Sequence, residues 1–186
     1  MVNLSIAALG LAVLLPLSAA APAVSPSAPA VIPRDEGFSF EQWVEDILAD
    51  PEGDHLSPEE AVKAAEKGTR SLTTENDLFK RDGIICDTKP PAWVPDAVAC
   101  INQLAALGTV SCSAVFGGAS NFCTIGNAQI VGITGVSPGT SSYCSDVARG
   151  AGAIMDSCTR TDNTVQGQGY ASGNGDLAVH ITAPEI

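Results

Sequence analysis

Ser141-Ser-Tyr-Cys-Ser-Asp-Val-Ala-Arg-Gly-Ala-Gly-Ala-Ile-Met-Asp-Ser-Cys158 carries the clearest periodicity of the chain, and the architecture is read outward from it. Cys144, Val147, Ala148, Ala151, Ile154, Met155 and Cys158 recur at intervals of three and four, which puts them on one face of a helix. Pro138-Gly139 breaks the chain just before it, so the helix is expected over about Ser141 to Cys158. Upstream, Gly126-Asn127 suits a tight hairpin between the strands Phe122 to Ile125 and Ala128 to Thr134. Val110 to Phe116 reads as a further strand, turned by Gly117-Gly118. Before that, Pro95 and Asp96 open another helix; Val94, Ala97, Val98, Ile101, Leu104 and Ala105 are its stripe and Gly108 its stop. Gly83-Ile-Ile-Cys86 is a short strand at the near end, ended by Lys89-Pro90-Pro91. On the far side, Thr164 to Ala171 and Asp176 to Thr182 make a hairpin around Gly173-Asn174-Gly175.

The order is therefore β-α-β-β-α-β. It predicts an α+β domain of the split β-α-β, ferredoxin-like kind: an α/β-sandwich with two helices on one face of an antiparallel sheet. Six cysteines (Cys86, Cys100, Cys112, Cys123, Cys144, Cys158) imply three disulfides, for which fifteen pairings exist. In that topology the end of the first strand and the end of the second helix share a sheet edge, which favours Cys86–Cys158. The starts of the second strand and second helix share the other edge, which favours Cys112–Cys144. Cys100–Cys123 is left to join the first helix to the hairpin. No Cys-x-x-Cys pair exists and the spacings are too wide for zinc, so no metal is expected.

All six cysteines follow the dibasic pair Lys80-Arg81. At the other end, Met1 to about Ala20 is apolar and closes on Ser18 and Ala20, the small-x-small pattern of a signal peptide. Gly10 and Pro16 interrupt the run, which is shorter than the roughly twenty apolar residues a bilayer requires. Ala21 to Pro33 is an Ala/Pro/Ser-rich linker. Phe40, Trp43, Val44, Ile47 and Leu48 then fall at helical spacing, and Ser57-Pro58-Glu59-Glu60 starts a second helix with a capping box. Asp50, Glu52 and Asp54 alternate like calcium ligands, but His55 and Ala61 stand where an EF-hand needs Gly and Glu, so a solvated acidic turn is expected. The expected organisation is a signal peptide over 1–20, an acidic pro-segment over 21–81 that masks the domain downstream, and a mature disulfide-stapled domain over 82–186. Lys80-Arg81, followed by Asp82, resembles a site for kexin-type secretory proteases. The expected location is extracellular.

The mature segment holds eight acids against three bases, Lys89, Arg149 and Arg160, a net charge of −5. That balance gives no electrostatic footprint for nucleic acid and disfavours anionic membrane surfaces. No N-x-Ser/Thr sequon follows the leader.

Catalytic constellations are not found. His180 is the single histidine of the mature segment, and a lone histidine on a predicted final strand reads as structural or exposed. A glycosidase needs two facing carboxylates, whereas Asp146 and Asp156, ten residues apart on one helix, would stand about 15 Å apart along its axis. Asp96 and Asp146 read as helix-start charges and Asp176 as a turn residue. Gly167-x-Gly169 and Gly173-x-Gly175 lack the Lys-Ser/Thr of a phosphate loop. Trp93 and Tyr143 are expected to pack at helix starts. No catalytic residue and no cofactor is expected.

Asp96-x-x-x-Cys100-Ile-Asn-x-Leu-x-x-Leu-Gly108, Phe122-Cys123-x-x-Gly126, Ser141-Ser-Tyr-Cys144-x-Asp-Val-Ala148 and Gly173-Asn-Gly-Asp-Leu177 together resemble small secreted cysteine-rich fungal proteins. These are the killer-toxin-like and effector proteins that share an α/β-sandwich with the smut killer toxin subunits. The resemblance covers nearly all of the mature segment and implies dibasic processing, without carrying over a catalytic motif. It implies a non-enzymatic toxin or host-directed effector that binds a surface or membrane component, protein or otherwise, of another cell. A non-toxic extracellular binding or inhibitory module is the alternative.

Overall fold

Residues 37–71, 83–86 and 89–184 are described by the computed structural model, and all belong to one unit. The leader over 1–20, the linker after it and Lys80-Arg81 lie outside the described residues. Two helices come first, α1 (Phe40–Ala49) and α2 (Pro58–Ser71). A short edge strand β1 (Ile85–Cys86) and the two-residue β2 (Ala92–Trp93) lead into α3 (Val94–Ala106). Next are β3 (Ser111–Val115), β4 (Ala119–Ile125), β5 (Ala128–Ile133) and β6 (Gly139–Tyr143), then α4 (Cys144–Cys158). The chain closes with β7 (Thr164–Val165), β8 (Gly167–Ala171) and β9 (Asn174–Thr182).

The main sheet has the order β1-β8-β9-β5-β4, and every pair in it is antiparallel. Its inner face presents Ile130 from β5 and Leu177, Val179 and Ile181 from β9, all fully buried. α3 lies over β4 and β5, α4 over β8 and β9, and the two helices pack on each other. Their stripes are the ones legible in the sequence: Val98, Ile101 and Leu104 on α3 and Val147, Ala151, Ile154 and Met155 on α4 have no exposed surface. Gly132 on β5 leaves room for the Phe122 ring, which occupies the space a Cβ there would take.

Three features depart from the sequence-based expectation. The segment Gly139–Tyr143 is a strand, so α4 begins at Cys144 rather than Ser141. Its first amides are met by backbone rather than a side-chain cap: Cys144 N–H donates to Val110 O at 2.8 Å and Ser145 N–H to Gly108 O at 3.0 Å. Second, β3 is not in the main sheet; it pairs with β6 from Ser111↔Tyr143 to Val115↔Gly139 as a separate ribbon. One face of β3 carries Ser111 and Ser113, exposed, while Cys112 and Ala114 face inward, which suits a half-solvated ribbon. With β3 absent and β1 at the edge, the sheet is α+β and antiparallel but does not have the split β-α-β order. Third, the expected strand Thr164 to Ala171 is divided at the buried Gln166 into β7, which pairs with β2, and β8.

The disulfides are Cys86–Cys158, Cys100–Cys123 and Cys112–Cys144, the pairs expected from the shared sheet edges. They tie β1 to the end of α4, α3 to β4, and β3 to the start of α4. α1 and α2 form a further layer on the outer side of α3 and α4, with no disulfide to hold it.

Candidate functional site: the outer face of α4 and its cover

α1 forms because Phe40, Trp43, Val44 and Ile47 recur at helical spacing and Ser39 caps the helix, its Oγ accepting from Gln42 N–H at 3.3 Å. All four apolar side chains are sealed, none more than 3% exposed. The Trp43 indole N–H donates to Leu56 O at 2.8 Å, which folds the linker between the helices back on α1. α2 starts on the capping box expected of Ser57 and Glu60: Ser57 N–H donates to Glu60 Oε2 at 2.9 Å and Glu60 N–H to Ser57 Oγ at 3.3 Å. The bond from the Ser57 backbone is the main reason the Glu60 carboxyl lies below its ordinary pKa.

Three residues of α4, one per turn or so, receive α1. Gly152 lets the backbones meet: a Cβ there would stand 2.9 Å from Glu41 Cα and 3.1 Å from Phe40 O. Asp156 lies beyond the start of α1 and accepts from Ser39 Oγ at 2.7 Å, Phe40 N–H at 2.6 Å and Glu41 N–H at 3.1 Å. Free amides at a helix start carry the positive end of its dipole, so a carboxylate there is doubly matched. Arg149 meets Glu45 in a fork, Nε to Oε1 at 2.6 Å and Nη2 to Oε2 at 3.2 Å, while its Nη1 donates to Asp146 at 2.8 Å. The Glu45 carboxylate is the first cause holding the Arg149 guanidinium above its ordinary pKa.

A second feature is an open polar hollow of about 440 Å³ between the β3–β6 ribbon and the β8–β9 turn. Ser111, Ser142, Tyr143, Asp146 and Asn174 are among its lining. Asn174 Nδ2 joins its two sides by donating to Ser142 Oγ at 2.9 Å and Ser141 O at 3.2 Å. Contrary to expectation, Tyr143 does not pack at its helix start; it is 55% exposed at the rim, and Trp93 is 54% exposed elsewhere. A third feature is an apolar tip. Val115, Phe116 and Val136 are all exposed there, on backbone joined by the Val115↔Gly139 and Phe116↔Thr134 pairings.

The remaining sequence candidates separate. His180 is buried on β9, its Nδ1 without a hydrogen-bond partner, and desolvation, then the nearby charge of Lys89, lowers its pKa. Asp96 does more than mark a helix start, since Asn127 N–H in the β4–β5 turn donates to it at 2.7 Å. Asp146 and Asp156 serve different partners, Arg149 and the start of α1. Among the described residues no group of His, Cys, Asp or Glu could hold a metal ion, and no helix is long and apolar enough to cross a membrane.

Residues 81–183 match a protein-family domain described as a domain of unknown function, DUF8794. The chain belongs to that family. No curated protein and no solved structure matches it. The DUF8794 match contains all six cysteines, the polar hollow and the Arg149, Gly152 and Asp156 stripe; α1 and α2 lie outside it. Sequence reasoning misses the stripe, although one signal points to it. Asp156 sits in the last turn of α4, where the dipole of its own helix disfavours an acid and no base within that turn offsets it.

Proposed function

We propose that the chain is the precursor of a secreted killer-toxin-like or host-directed effector protein. In this reading segment 1–20 is removed on secretion, a kexin-type protease cuts after Lys80-Arg81, and the 82–186 domain acts non-enzymatically by binding a surface or membrane component of another cell. The observation that carries it is the division of the molecule at the proposed cut. Phe40, Trp43, Val44 and Ile47 before it cover the helical face, while every disulfide lies after it, between Cys86 and Cys158. Three disulfides in about 105 residues accord with an extracellular site of action. The exposed Val115, Phe116 and Val136 supply an apolar contact for a target. Kinship with the α/β-sandwich toxins belongs to the same proposal, supported by α3 and α4 lying side by side on one antiparallel sheet.

The test is cell death on competing yeasts and plant tissue exposed to oxidised Asp82–Ile186. Death lost on reduction and kept in His180→Ala is the expected result; death lost in His180→Ala with the fold intact would indicate an enzyme. The polar hollow favours a second reading, a non-toxic binding module. Hydroxyls, the Asn174 amide and the open face of Tyr143 suit a polyhydroxylated ligand such as a wall glycan. That reading predicts retention on such a polymer and no death.

A further inference from the structure

We propose that Arg149, Gly152 and Asp156 form a receptor for a helix, and that its occupant after cleavage is the chain's own segment 37–71, kept as a separate non-covalent subunit. Cutting at Arg81 then arms the product without uncovering it; a second event must strip the segment. This rests on the cleavage proposed above and assigns the fate of the released segment.

The three residues fall at i, i+3 and i+7, so they line one stripe of α4 on its outer face. Each meets a different part of α1. Asp156 takes the hydroxyl and two amides at its start, Gly152 admits its backbone, and Arg149 forks onto Glu45 a turn further along. Each of these contacts joins a residue of segment 37–71 to a residue of the domain after the cut. The apolar face behaves in the same way: its four side chains are sealed, and α1 as a whole lies mainly against α4 and α3. An interface of this kind, with a buried aromatic anchor and the Arg149–Glu45 charge pair at its edge, is what holds separate chains together. The same contact accounts for the placing of Asp156, which weakens its own helix end and completes the start of another.

The experiment uses the full oxidised chain with a site for a sequence-specific protease placed at positions 80–81, cut to completion and passed through gel filtration at physiological salt. The two fragments are expected to co-elute one to one at micromolar concentration, with a dissociation constant of about 1 µM or tighter. Asp156→Ala should weaken retention roughly 10- to 100-fold. Ser39→Ala and Glu45→Ala alter only the segment, so the domain's folding is untouched; each should weaken retention by a few-fold, Glu45→Ala more at low salt. Separation of the wild-type fragments would overturn the inference, as would Asp156→Ala fragments held as tightly as wild type. Because the inserted site makes the cut independent of kexin-type processing, failure of the natural cut bears on the proposed function alone.

Discussion

Gly150 and Gly152 sit two residues apart in α4 and face opposite neighbours, so the same substitution should have different signatures at each. Alanine favours a helix interior over glycine by about 1 kcal/mol. At Gly152 the added Cβ meets Glu41 Cα at 2.9 Å and Glu41 N at 3.0 Å, backbone atoms that cannot rotate away. Overpacking of this kind costs about 1–3 kcal/mol, so Gly152→Ala should leave the full chain unchanged or less stable by up to about 2 kcal/mol. In the excised 82–186 domain α1 is gone and only the helix preference remains, so the variant should be more stable by about 1 kcal/mol. For a domain of this size that is a rise in Tm of roughly 4 °C. Gly150→Ala is the control: its Cβ meets Tyr170 O and stands 3.3 Å from Ala171 Cα, both within the domain, so it should destabilise both forms. Thermal unfolding by circular dichroism reads all four cases. Gly152→Ala shifting both forms in the same direction by the same amount would refute the docking of α1 on α4.

Trp43→Ala should cost the full chain about 3–5 kcal/mol by urea unfolding, since the ring is 2% exposed and its N–H bond to Leu56 O is lost as well; a cost under about 1 kcal/mol would be at odds with its burial. Loop-closure entropy ranks the disulfides: removing Cys86–Cys158, 72 residues apart, should cost about 4 kcal/mol, against about 3 kcal/mol for Cys100–Cys123, 23 apart. Double Cys→Ala variants compared in urea give the order, and an inverted order would count against the entropic explanation. His180 binds its proton less readily folded than unfolded, so its stabilising contribution is complete above the ordinary histidine pKa of about 6.5 and is lost as pH falls below it. Unfolding midpoints between about pH 7 and pH 5 should therefore fall less steeply in His180→Leu than in wild type; equal slopes would show that His180 is not the group responsible.

Helix faces are legible because burial leaves a period: Val98, Ile101 and Leu104 name the inner side of α3 before any contact is known. Local polar chemistry is legible too, as with the Ser57 and Glu60 capping box. Ser141-Ser-Tyr143 reads as the first turn of α4 because polar residues carry no period; their strand state comes from pairing with β3, about thirty residues earlier. The same non-local choice removes β3 from the main sheet. Cysteine pairing survives that change because it depends on which ends of α4 lie near β1 and β3, not on strand order. Asp156 is the hardest to read. Its donors on Ser39, Phe40 and Glu41 lie well over a hundred residues away in the chain, and only the unfavourable end of its own helix hints at them.

Whether the chain is a precursor divided at Arg81 decides how every other feature is to be understood. Intact-mass and N-terminal analysis of protein collected from the culture medium of the producing organism answers it. The expected product is a domain polypeptide that begins at Asp82, has all six cysteines oxidised, and is found in the medium rather than the cell. A chain that remains in the cell, or reaches the medium uncut through Lys80-Arg81, would rule the precursor reading out.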